Sequence, residues 1–479
     1  MILTMGTRHE SSTWDPNRAM QCAVYETHRF CIRLPPYAAF VDDDAVINET
    51  LTDATLAVFV HEYVHFVHNV STVVGWTAYE LLLDILALFT RSLDEHARCD
   101  EKRLSADDRD SLARSLRAFA ALEGARYLPE HPSRAVGLKV VDVVDREEPL
   151  DGLNVKLCDV EWKITRRDGS EQNASLSVGA LLIEEGVAYL LETSVREGHL
   201  QSRTLSATMD DVPLFPYVAY QILCRHLAPS ASPLAMARLG LIALNSNRPG
   251  AVLSGALRAY EVARSGGLDD NAACEKVRDA LSATISDILT RIQGRNLDAL
   301  PGIYVDRGVL HDGIKQVAKW FAEGLAERQR DIWFDLDWCA SDPVDRSLLE
   351  ARFRRQIPCD IIQERFGAND KPERDVLLTM APHDLNGVRA LQAQFDFLLG
   401  HLRSAGLAST VDGGGQPCPF FTSCTLKLRR DEPQICAAQP WTFWQRERSC
   451  WYGVAVAGSM GKLAIVIDDD SQNDETAKP

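Results

Sequence analysis

The chain has 479 residues, 46% hydrophobic and 25% charged, a globular composition long enough for two or three domains. Its 68 acidic side chains against 51 basic ones give a formal charge of −17, which repels phosphate backbones and argues against a nucleic-acid partner. The Met1–Gly6 opening lacks a basic run followed by an apolar one. No apolar run reaches ~18 residues, so the expectation is no export signal, no membrane span and a cytoplasmic protein.

Residues 1–27 show no regular pattern. His28 to Leu34 is apolar, β-prone and closed by Pro35-Pro36, which predicts a strand. Asp42-Asp43-Asp44 marks a loop. Thr52 is a candidate N-cap for a helix running through Val60 and beyond, which Gly75 ends or interrupts. A second helix is predicted from Trp76 to His96, and a third, amphipathic one from Ala106 to Glu123. Together these make an N-terminal part over 1–130. From Val136 to Ile164 the residues alternate and are rich in valine, with turn signals at Asp151-Gly152 and Asp168-Gly169. This predicts a β-rich insertion over 131–177.

Helical periodicity returns near Val178 and dominates to Leu402, so 178–405 reads as a helical part. Breaks are expected near Pro213, Pro229, Pro249, Pro301, Pro343 and Pro382. Arg352, Arg354 and Arg355 form a short basic cluster, read as a solvated helix face. Gly413-Gly414-Gly415 marks a linker. The 406–467 segment is cysteine-rich and reads as a small β module, with Tyr452–Ala457 and Lys462–Ile467 as the arms of a hairpin. The acidic, polar tail 468–479 reads as disordered.

The run His61-Glu62-Tyr63-Val64-His65 carries the strongest chemical signal. A helix turns about 100° per residue, so residues i and i+4 point the same way. Two imidazoles placed thus can reach one tetrahedral cation. Glu62, one step round, can approach a metal-bound water instead of the metal. The flanking Leu56, Val58, Phe59, Val60, Val64, Phe66 and Val67 predict a buried helix. Burying His-Glu-His without partners would cost several kcal/mol, and a metal removes that cost. The pattern with a glycine and a third histidine shortly after the second does not continue here.

Downstream lies Glu184-Glu185-Gly186-Val187-Ala188 on a predicted helix from Val178 to Glu192. Together with His61-Glu62-x-x-His65 it resembles the second motif of the gluzincin metallopeptidases. The resemblance covers the two short helices. It implies a zincin-like catalytic core within a mainly helical α+β fold, one catalytic Zn2+ held by His61, His65 and Glu185, and Glu62 as general base. The implied activity is zinc-dependent hydrolysis of a peptide bond in a protein or peptide substrate. No Gly-x-Met-Glu-Asn motif for gripping a free amino terminus is found, which tilts the reading toward an endopeptidase. The alternative is a non-catalytic zinc-containing binding or scaffold protein. Glu184 rivals Glu185 as ligand. His68, at i+7 from His61, is a further candidate or a cleft-lining residue. Glu192 is a candidate to hold a ligand histidine, or a plain surface carboxylate. Tyr304, His311 and His383 are candidate oxyanion donors, with nothing to choose among them.

Cys418, Cys424, Cys436 and Cys450 could hold a second, structural metal or an iron–sulfur cluster, but their spacings lack a short knuckle. Free thiols and disulfides stay open. Cys22, Cys31, Cys224 and Cys339 are scattered and read as small buried hydrophobes.

Overall fold

The computed structural model describes residues 23–467 apart from 126–134, 151–152, 199–213, 305–307, 339–343, 356, 366–374, 380–384, 404–405, 411–417, 419, 425 and 463–465. The expected tail 468–479, together with Pro213, Pro343, Pro382, His383, Cys22 and Cys339, lies outside the described residues.

Two short strands come first, β1 (Val24–Glu26) and β2 (Cys31–Leu34). The predicted strand loses its first residues to a turn, in which Phe30 takes a φ of 49°. Helix α1 (Asp53–Ser71) starts where expected, because the Thr52 hydroxyl accepts the Thr55 N–H at 3.0 Å. It is buried over most of its length.

Helix α1 ends at Thr72, not at Gly75. The Thr72 hydroxyl and N–H both return to the His68 carbonyl, and the same hydroxyl accepts the Gly75 N–H to open α2 (Val73–Ser92). Gly75 serves close approach instead: a Cβ there would fall 2.0 Å from the Asn69 carbonyl oxygen. Helix α2 is long and apolar enough to cross a membrane by length and composition alone. In this fold 67% of that apolar window is buried in protein, which makes it a core helix. Helix α3 (Ala106–Glu123) has the predicted bounds and opens on a capping box between Ser105 and Asp108.

The predicted insertion is a three-stranded antiparallel sheet, β3 (Ala135–Leu150), β4 (Leu153–Arg166) and β5 (Glu171–Val178), in that order. Alternation explains it: Val160, Trp162 and Ile164 are buried, while Glu161 between them is exposed. Helix α4 (Ala180–Glu197) follows at once. Then come α5 (Ala219–Leu227), α6 (Pro233–Leu244), α7 (Pro249–Ser265), α8 (Asp270–Arg291), the short α9 (Leu297–Ala299), α10 (Val309–Arg330) and α11 (Arg346–Arg355). Pro233 and Pro249 each occupy a first helical turn, where a missing N–H costs nothing.

The region read as helical also contributes two strands, β6 (Asp360–Gln363) and β7 (Val376–Leu378), ahead of α12 (Leu385–His401). They complete a four-stranded sheet of order β1-β2-β6-β7, with β2 and β6 parallel. Nor is the basic cluster simply solvated. Arg352 lies over the Trp338 ring, and Arg354 donates to the carbonyls of Ile47, Asn48 and Glu49.

The cysteine-rich segment is helical rather than β. After the small hairpin of β8 (Leu402–Arg403) and β9 (Gly406–Leu407) it forms α13 (Lys427–Asp431), α14 (Pro433–Ala438), a 3-10 turn over Pro440–Gln445 and α15 (Trp451–Ser459). The expected first hairpin arm is therefore helix α15. Beyond β9, its strands among the described residues are β10 (Arg448–Ser449) and β11 (Val466–Ile467), paired parallel. One cluster of buried apolar side chains extends from Ala23 to Ala457. The fold is mixed α+β and mainly helical, with α1 packed between α4 and α10.

Candidate metal centre

Helices α1 and α4 lie against each other, and three donor atoms meet between them. His61 Nε2 is 3.2 Å from His65 Nε2 and 3.2 Å from Glu185 Oε2, and His65 Nε2 is 3.4 Å from the same oxygen. Donors on a tetrahedral zinc at ligand distances of about 2.0–2.1 Å stand about 3.3–3.4 Å apart, so the triangle fits that ion. Among the described residues this is the group of three or more metal-ligating side chains whose donor atoms all lie within 4.8 Å of one another.

The electrostatics of the group are mutual. Burial alone would raise the Glu185 carboxyl, but the His65 and His61 imidazoles overcome it and hold that carboxyl well below the usual range. Burial would lower both imidazoles, and the carboxylates reverse this: Glu185 and Glu192 raise His61, and Glu185 raises His65. Three donors this close favour a positive charge among them, whether proton or metal.

Glu62 is 5% exposed. Burial raises its carboxyl, opposed by His61 and His65. The backbone of Tyr25, on β1 at the outer edge of the four-stranded sheet, lies near it and favours its charged form. It is absent from the donor triangle, as a residue one step round the helix should be.

Glu184 faces elsewhere. It is half-buried, and burial pushes its carboxyl up to about 7, against the pull of His65 and with help from Glu185 and Glu123. Glu192 does reach the centre: its Oε2 lies 3.0 Å from His61 Nδ1. The approach is oblique, since that nitrogen has no well-aligned hydrogen bond. Arg196 pairs with Glu192 from the next turn of α4. Such an outer carboxylate fixes the ring and tautomer of a ligand histidine. Glu192→Gln is therefore expected to weaken metal affinity by about 10- to 100-fold, read by competition with a chromogenic chelator.

His68 is not at the centre. It is fully buried, and its Nε2 lies 3.1 Å from Asp335 Oδ2. Gly186 packs against α5: a Cβ there would fall 2.1 Å from Tyr220 Cγ. Of the expected oxyanion donors, Tyr304 is buried with its hydroxyl on Gln394, and His311 Nδ1 lies 3.2 Å from the Pro301 carbonyl. The residue that sequence reasoning missed is Tyr217. It lies in the turn Leu214–Val218 ahead of α5, with its ring 5.6 Å from His61 and 5.7 Å from Tyr189. No spacing rule ties it to the histidines, so only the folded contact reveals it.

Of the four late cysteines, Cys418, Cys436 and Cys450 are buried and Cys424 is half-buried, and they do not form a group as tight as the His-His-Glu triangle. Cys31 and Cys224 are buried, as small apolar side chains would be. Comparison with protein-family models, curated proteins and solved structures finds no match.

Proposed function

We propose that this chain is a zinc-dependent peptidase. The observation that carries the reading is the triangle of His61, His65 and Glu185, with donors 3.2–3.4 Å apart and the Glu62 carboxylate buried beside it. Bound there, zinc would polarise a substrate carbonyl and make water a nucleophile near neutral pH. Glu62 would take the proton from the attacking water and pass it to the leaving amine. Glu192 would hold His61 in orientation. Tyr217 is the phenol beside His61 and takes the role of polarising donor.

Strand β1 supports a peptide substrate. It ends the sheet among the described residues, and the backbone of its Tyr25 lies near Glu62. An extended chain added along such an edge would run past the general base. This favours cleavage within a protein or peptide. The second reading, a non-catalytic zinc-containing binding or scaffold protein, would use the same triangle but has no need of a buried Glu62.

Metal content separates the ligand assignments. Glu185→Ala is expected to lose the zinc, while Glu184→Gln, nearly isosteric with a protonated carboxyl, keeps it. Elemental analysis of the two purified variants beside the wild type decides. Zinc retained by Glu185→Ala would overturn the assignment.

A further inference from the structure

A cavity of about 200 Å³ lies between α1 and α10. Its α1 wall is Tyr63, Phe66 and Val70, which stand roughly opposite His61 and His65 around the helix. We infer that this cavity is a binding site for a free amino acid with an apolar side chain, separate from the centre formed by His61, His65 and Glu185.

The interior suits the side chain of such a ligand. Tyr63 and Phe66 face Trp320 of α10, with Phe334 and Trp338 from the chain that follows it. The rings brace one another: Tyr63 meets Trp338 at 5.3 Å between centroids, and Phe66 meets Trp320 at 6.0 Å. An apolar cavity of roughly 150 Å³ is enough to hold benzene, so this one takes a phenyl or branched aliphatic group. Larger organic ligands need about 300–1,000 Å³, which limits the occupant to something of amino-acid size.

The lining also carries charge of both signs. Glu323 and Glu327 lie one turn apart on the same face of α10, and Arg352 of α11 lines the same cavity. Glu323 and Arg352 are exposed and Glu327 is half-buried, so the charges stand toward solvent. Glu323 has the Lys319 ammonium at 3.9 Å and Glu327 pairs with Arg330, surface contacts weak enough to yield to another cation. Arg352 lies 4.8 Å from the centre of the Trp338 ring and makes no ion pair among the described residues. The indole N–H of Trp338 is buried and has no hydrogen-bond partner among them either.

This pattern selects the ligand. An ammonium suits the two glutamates, and a carboxylate suits Arg352 and the Trp338 N–H. A simple organic cation would face Arg352, and a simple carboxylic acid would face Glu323 and Glu327. An α-amino acid carries both charges on one carbon and leaves its side chain free to enter among the rings.

Isothermal titration calorimetry on the full chain, stripped of metal with EDTA, tests the site without reference to turnover, so it stands or falls apart from the peptidase reading. L-phenylalanine and L-leucine are expected to bind one to one. 3-Phenylpropionate, which lacks the ammonium, and phenylalaninamide, which lacks the carboxylate, should each bind about tenfold or more weakly than phenylalanine, the loss expected when a charged hydrogen-bonding group goes unmet. Glu323→Gln/Glu327→Gln should abolish the discrimination against 3-phenylpropionate, and Arg352→Gln that against phenylalaninamide. Reloading zinc should leave the affinity for phenylalanine unchanged. The proposal is overturned if neither amino acid binds at millimolar concentration, or if binding requires zinc. It is equally overturned if phenylalaninamide binds as tightly as phenylalanine, the result expected of a site for a plain cation or a peptide amino terminus.

Discussion

Glu62→Gln is expected to lower peptide hydrolysis by about 10²- to 10⁴-fold while leaving the zinc content unchanged. The two halves have separate causes. The metal is assigned to His61, His65 and Glu185, whose donors already form the triangle, and Glu62 contributes no atom to it. What Glu62 contributes is a buried carboxylate near the backbone of Tyr25. Glutamine keeps the shape of that side chain and can no longer take a proton. Initial rates on a quenched fluorescent peptide library or on casein, measured at matched zinc content, provide the readout. Turnover retained by the glutamine variant would remove Glu62 as base. A wild type that binds zinc without hydrolysing either substrate would favour the scaffold reading.

The parts of this site that local chemistry determines could be read from the sequence. His61 and His65 share a face because of helical geometry, and the Thr52 cap fixes where that helix begins. Glu185 could be named because a glutamate-glycine pair on a second helix pointed to it, and it reaches both histidines. What stayed hidden depends on distant partners. His68 looked like a candidate ligand until Asp335, far along the chain, proved to face it. Strand β6 has no alternation to betray it, because Asp360, Ile361, Ile362 and Gln363 are all buried beside β2. Val454-Ala455-Val456-Ala457 read as β-prone, but a short apolar run does not distinguish a strand from a helix buried on every side. Packing against α12 and the Pro440–Gln445 turn makes it a helix.

The largest stability effect is expected at Arg328, on the side of α1 that faces α10. Arg328 and Asp335 both have fully buried side chains and pair through two bonds of 2.9 Å. Arg328 also donates to the Ile332 carbonyl and to the Ser71 hydroxyl at the end of α1. Burial alone would raise the Asp335 carboxyl, but Arg328 and His68 overcome it and hold that carboxyl far below its ordinary value, so it is charged in the fold. Burial lowers His68, which is therefore neutral near pH 7 and serves as a hydrogen-bonding partner rather than a second cation.

Arg328→Met would leave a carboxylate buried beside a neutral imidazole and is expected to cost about 3–5 kcal/mol. Asp335→Leu should cost a similar amount by stranding the guanidinium. The double variant Arg328→Met/Asp335→Leu removes both charges at once and should regain most of the loss, because a buried ion pair and a well-packed apolar pair differ little in net stability. Denaturant midpoints of the four proteins give the coupling directly. Additive losses would show that the two charges do not act as a pair. Close approach of α10 to α1 reinforces the same contact: a Cβ at Gly324 would fall 2.5 Å from the Val70 carbonyl oxygen. Through Ser71 and His68 the ion pair is tied to the end of α1, the helix that carries His61 and His65.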